Sequence, residues 1–157
     1  MLLASAAISL DLRVDFPGAC AGLARGDGLE YGMSDIAATL RKICAAFNAR
    51  DLDQIMAFFA EDCVLEMPRG PEPWGTRYEG KDNVRRGLAT RFEGLPDVAY
   101  GNDEHFVDKE ANTGMSKWLL TGTMPNGRKV RVRGCDFYTF RADGKVMRKD
   151  SYWKIVE

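Results

Sequence analysis

The residue with the clearest chemical potential is Asp136, in the segment CDFYTFR that runs from Cys135 to Arg141. Side chains of a strand alternate between the two faces of its sheet. In that phase Val130, Val132, Asp136, Tyr138 and Phe140 share one side, and Lys129, Arg131, Arg133 and Arg141 share the other. The spacing predicts that Asp136 faces inward among apolar groups. A carboxylate buried alone is costly, so it must be hydrogen-bonded, paired or protonated. Desolvation by Tyr138, Phe140 and Trp153 favours the neutral acid, which would serve as a proton donor or as a base near neutral pH. On that reading Asp136→Asn should be neutral or stabilising. A structural acid tied to backbone amides or to an arginine is the alternative, and a bulge that turns the side chain outward is a third.

His105, in DEHFVD, is the only histidine. Imidazole exchanges protons near physiological pH, so beside Asp136 it would shuttle them. The competing reading is an exposed or satisfied structural residue. Glu66 follows Val64 on one strand face and is either a pocket acid or an arginine-paired structural residue. Trp74 and Tyr78, with Arg77 between them, lie in a stretch rich in Pro and Gly. They either close over a ligand or pack back onto the core. Tyr138 and Trp153 would supply apolar walls. In the last segment Met147, Lys149, Ser151, Trp153 and Ile155 form one face, opposite Asp150 and Tyr152. Trp118, alternating with Ser116 and Leu120, reads as sheet or dimer packing.

Other chemistries are excluded. Cys20, Cys44, Cys63 and Cys135 form no CxxC pair, and with one histidine a Cys/His zinc site is not expected. Phosphate-binding glycine loops, GxSxG and HExxH are absent, so no metal and no cofactor is expected. A net charge of −1, with both signs scattered, argues against nucleic acid and acidic lipid partners. No apolar run is long enough to span a membrane, and the cysteines read as reduced thiols of a cytoplasmic protein.

The elements that position these groups follow from periodicity. At 157 residues the chain fits one domain with a real core. Residues 1–32 lack a clean period and read as an extension before a domain over 33–157. Ser34 is the expected cap of a first helix carrying Ile36, Leu40, Ile43 and Phe47. Asp51 and Gln54 open a second helix, with Leu52, Ile55, Met56 and Phe59 on one stripe. CVLEM reads as a strand and PRGPEPWGTRYEG as a loop. Val84, Leu88 and Phe92 mark a third helix, with Gly94 as its cap. Four strands follow from Pro96 onward, and PNG and ADG are hairpin signals. Three helices followed by about five strands make an α+β fold.

In this order the segments RDLDQIMAFFAEDCVLEMPRG and CDFYTFRADGKVMRKDSYWK resemble the nuclear transport factor 2-like superfamily, in its SnoaL-like and ketosteroid isomerase-like branch. The resemblance covers Ser34–Glu157. It implies a cone, a strongly curved sheet wrapped around the helices with a pocket inside, and a homodimer through the outer sheet face. It aligns Asp136 with a carboxylic acid that such isomerases keep protonated in an oxyanion hole. It also places Met67 where they carry their base aspartate and Ile43 near their catalytic tyrosine. The resemblance therefore argues against steroid isomerisation. The water-activating triad of limonene epoxide hydrolases is likewise missing, its positions falling near Lys117, Leu119 and Ser151. What remains is a cofactor-free isomerase, cyclase or hydrolase acting on a small apolar carbonyl or polyketide-like molecule, or a binding protein that kept the cavity alone.

Overall fold

The computed structural model describes residues 35–156; the extension over 1–32 and the Ser34 cap lie outside them. Helix α1 (Ile36–Ala49) begins at Asp35, whose carboxylate accepts from the Ala38 amide at 3.1 Å. Its buried residues, Ile36, Leu40, Ile43, Ala46 and Phe47, recur every three or four positions and make one stripe. Asp51 caps α2 (Leu52–Ala57) through the Gln54 amide at 2.9 Å. This helix is shorter than its apolar stripe suggested. Phe59, expected on the helix, opens β1 (Phe59–Glu66), because the Phe58 carbonyl accepts from Val146 and draws the chain into the sheet. Phe59 is buried either way.

The Pro/Gly-rich stretch is not loop throughout. Residues Arg77–Glu79 form β2, antiparallel to β1, so the sheet has six strands rather than about five. Helix α3 (Lys81–Gly94) buries Val84 and Leu88, and Phe92 packs against the same core. Gly94 is its last helical residue, and Leu95 takes the cap position expected of the glycine.

Strands β3 (Ala99–Asp108), β4 (Thr113–Thr123), β5 (Lys129–Phe140) and β6 (Val146–Trp153) form an antiparallel meander. Two of its turns place Gly127 and Gly144 at φ 84° and 80°, where a side chain would clash with its own backbone. The sheet order is β2-β1-β6-β5-β4-β3, and the β1–β6 pairing is the parallel one. Helix α1 packs on β3 and β4, and α3 packs on β1 and β2. The inner face of the sheet is therefore covered, and the side chains enclosed there form the site. Among the described residues no helix is long and apolar enough to cross a membrane.

Candidate active site

Asp136 points inward, as the alternation predicts, and its strand carries no bulge there. The register sets Ser116 of β4 and Ser151 of β6 directly beside it. Asp136 Oδ1 accepts from Lys149 Nζ at 2.6 Å and from Ser151 Oγ at 2.7 Å. Its Oδ2 accepts from Trp118 Nε1 at 2.9 Å. Lys149 Nζ donates also to Ser151 Oγ at 2.6 Å. Of the three fates open to a buried carboxylate, the structure selects pairing, and the partner is a lysine rather than an arginine or an apolar cage. Asp136, Lys149 and Ser151 are each 6% exposed.

Each neighbour is positioned by a local feature of the chain. Lys149, Ser151 and Trp153 share the inward phase of β6. Trp118, read as sheet or dimer packing, is buried on the inner face of β4, where Gly134 stands opposite it and leaves room for the indole. A Cβ on Gly134 would lie 2.3 Å from Trp118 Cη2 and 2.4 Å from the Tyr152 carbonyl oxygen. The indole occupies that space and aims its N–H at Asp136. Burial pulls the Lys149 amine below the ordinary lysine range, and the Asp136 carboxylate pulls it part of the way back.

The cluster opens onto a small chamber walled by Phe47, Leu65, Met67, Tyr100, Trp118 and Trp153. Its free volume is about 10 Å³, room for the centre of about one water. Met67, at the position aligned with a base aspartate, does line this chamber, whereas Ile43 lies in the core of α1. At the mouth the Arg91 guanidinium sits 4.2 Å from the Trp153 ring centroid, and Arg69 sits 6.0 Å from it.

The other candidate residues are dispersed. Tyr138 is buried beside Asp136, and burial raises its hydroxyl well above the ordinary range. His105 shares the cross-strand row with Asp136 but is one strand removed, with Ser116 between them. Its Nδ1 lies 2.9 Å from Ser116 Oγ and its Nε2 lies 3.0 Å from Asp103 Oδ2. Glu66 faces away from the chamber, which its neighbour Leu65 lines. It is fully buried between Arg77, at 3.0 and 2.6 Å from Oε1, and Arg148, whose Nε is 2.8 Å from Oε2. Trp74 is half exposed under the Arg77 guanidinium, 4.8 Å away. Tyr78 packs against Gly87 of α3, where a Cβ would come within 2.6 Å of its ring. Both aromatics therefore fasten β2 rather than wall the chamber. Asp150 is held by the Tyr152 hydroxyl at 2.9 Å, on the opposite face from Ser151. Burial pushes the Cys44 thiol up to about 11 and raises Cys63 and Cys135, so none of the three is an activated nucleophile.

Lys149, Ser151 and Arg91 were not singled out from the sequence. The signal for the first two was their phase with Trp153. Arg91 carried no signal, because its place depends on how α3 lies across the mouth.

Residues 40–149 match the family model of the SnoaL-like domain. Among solved structures, a candidate polyketide cyclase from Xanthomonas campestris pv. campestris is 21% identical, with a TM-score of 0.68, over 78% of this chain and 92% of its own. A candidate isomerase from Bacillus subtilis is 22% identical, with a TM-score of 0.66, over 76% of this chain and 86% of its own. SalBIII, an epoxide hydrolase/cyclase-like enzyme with a role in pyran ring formation in the polyether salinomycin, is 17% identical, with a TM-score of 0.67, over 79% and 94%.

Proposed function

We propose that this chain, which belongs to the SnoaL-like domain family, binds a small, largely apolar carbonyl compound and moves a proton on it without a cofactor. The observation that carries this reading is the buried Asp136–Lys149–Ser151 cluster inside an apolar chamber. Ionisable groups kept away from water beside an apolar cleft mark a candidate functional site. The names of the three similar structures fall within the same chemistry of isomerisation and ring closure.

The chemistry follows from the donors. A ligand carbonyl oxygen entering the chamber would accept from Lys149 Nζ in place of Asp136. The ammonium then holds the negative charge that develops on that oxygen when a proton leaves the adjacent carbon. Asp136, released from one donor, takes that proton. Returning it at another carbon isomerises the ligand. Attack of the enolate carbon on a second carbonyl closes a ring. His105, bonded to Ser116 and to the more exposed Asp103, is the group that exchanges protons with solvent.

A second reading, binding without chemistry, is favoured by one feature: every acceptor of Asp136 is already engaged and the chamber holds little more than one water. Proton NMR of 2-tetralone in D₂O separates the two. The wild type should exchange the α-protons at least about 100-fold faster than Lys149→Met or Asp136→Asn, within the usual range for acid–base catalysis. Saturable binding with exchange at the buffer rate would establish the second reading instead.

A homodimer through the outer sheet face belongs to the same proposal, as does a cytoplasmic setting. Phe106, Phe137 and Tyr152 are 51%, 49% and 53% exposed on that face. Sedimentation velocity should give a dimer for the wild type and a monomer for Phe137→Glu.

A further inference from the structure

Outside the chamber lies a second, larger cleft of about 450 Å³, which shares Arg91 and Trp153 with it. Six cations line this cleft, Arg69, Arg91, Arg128, Lys129, Arg131 and Lys154, and no carboxylate does. The chain as a whole has a net charge of −1, so this clustering is not a by-product of a basic composition. Outside the cleft Arg41, Arg77, Arg85, Arg141 and Arg148 each hold a carboxylate within 4.0 Å. Among the described residues none of the six cations does so. Two rest on the Trp153 ring, Arg128 Nε lies 3.3 Å from Met124 Sδ, and Lys129 Nζ donates to Thr123 Oγ1 at 2.8 Å. Like charges lining one cleft repel one another, and a bound anion reduces that cost.

The walls between the cations are apolar, with Leu95, Met124, Val130, Val132 and Trp153. We infer that the ligand is an amphipathic anion, an apolar body ending in a carboxylate or another oxyanion. The arginines take the anionic end in a forked contact, and the apolar body lies along Trp153 toward the chamber. This names the substrate class for the site proposed above and rests on that reading. Arg91 and Trp153 form the wall common to cleft and chamber.

Isothermal titration with 2-naphthoate, 2-naphthalenemethanol and inorganic phosphate tests the inference. The two organic probes share a ring system and differ in charge. The carboxylate should bind at least tenfold more tightly than the alcohol, and more weakly as salt is raised. Arg91→Gln, and separately the more exposed Arg128→Gln, should each weaken the carboxylate severalfold and leave the alcohol unchanged. Using two variants guards against a packing defect at Arg91. Equal binding of carboxylate and alcohol would overturn the anionic class while leaving an apolar binding site intact. Phosphate binding as tightly as the carboxylate would mean an adventitious ion only, and binding of neither organic probe would overturn the inference outright. Tight carboxylate binding by Lys149→Met together with absent α-proton exchange in the wild type would keep the ligand class and discard the catalytic reading.

Discussion

Asp136→Leu should destabilise the domain by about 3–5 kcal/mol, and adding Lys149→Met should recover at least about 1 kcal/mol of that loss. The single change strands an ammonium that is 7% exposed among the rings of Phe47 and Tyr138. It also takes the acceptor from Trp118 Nε1 and Ser151 Oγ. Removing the lysine as well eliminates the uncompensated charge and leaves only two neutral donors unsatisfied, each worth about 1–3 kcal/mol. Recovery is therefore partial. Asp136→Asn should also be destabilising, contrary to what the sequence alone suggests, because the amide oxygen is a weaker partner for the ammonium. Urea unfolding with an unchanged m-value checks this. If the double variant proves less stable than Asp136→Leu alone, Lys149 does not depend on Asp136 for its burial.

The second large effect is expected on the opposite face. Arg77→Met combined with Arg148→Met should cost about 3 kcal/mol at neutral pH, since it leaves Glu66 buried and unpaired. The low end of the range applies because the two guanidiniums are 38% and 49% exposed and are screened by water. In the wild type, desolvation pushes Glu66 upward, but the two arginines outweigh it and hold the carboxyl below its ordinary range. Glu66 therefore adds stability above the unfolded-state value of about 4.3, and that stability is lost as pH falls through its folded value. In the double variant only desolvation acts, so protonation relieves the strain. The difference between the two proteins should be largest near neutral pH and should narrow in acid. A pH-independent difference would mean the arginines act by packing alone.

What could be read from the chain before its structure divides along physical lines. Alternation in β5 placed Asp136 inward, and the glycines of PNG and ADG placed two of the turns, because both signals are local. The SnoaL-like fold followed from the order of these segments, and the family match bears it out. Lys149 was harder to read. A lysine is ordinarily a surface residue, and only the tertiary pairing of β5 with β6 shows that its phase sets it against Asp136. Trp74, Tyr78 and Glu66 looked like pocket residues by type. They are drawn away by β2, a three-residue strand with no periodic signature of its own, whose Arg77 reaches back to Glu66. The basic cleft draws on the segment after β1, on α3, on the turn between β4 and β5, on β5 and β6 and on the segment after β6, so no sequence window contains it.

The titration of the Lys149 amine bears most directly on whether a buried, paired ammonium stands at the centre of this site. It can be followed by ¹⁵N-detected NMR of the lysine side chains, with the signal identified by its loss in Lys149→Met. The structure predicts that this amine gives up its proton at a lower pH than the other lysines, and at a lower pH still in Asp136→Asn, where the supporting charge is gone. An amine that titrates with the surface lysines near pH 10.5, and does not respond to Asp136→Asn, would contradict the account.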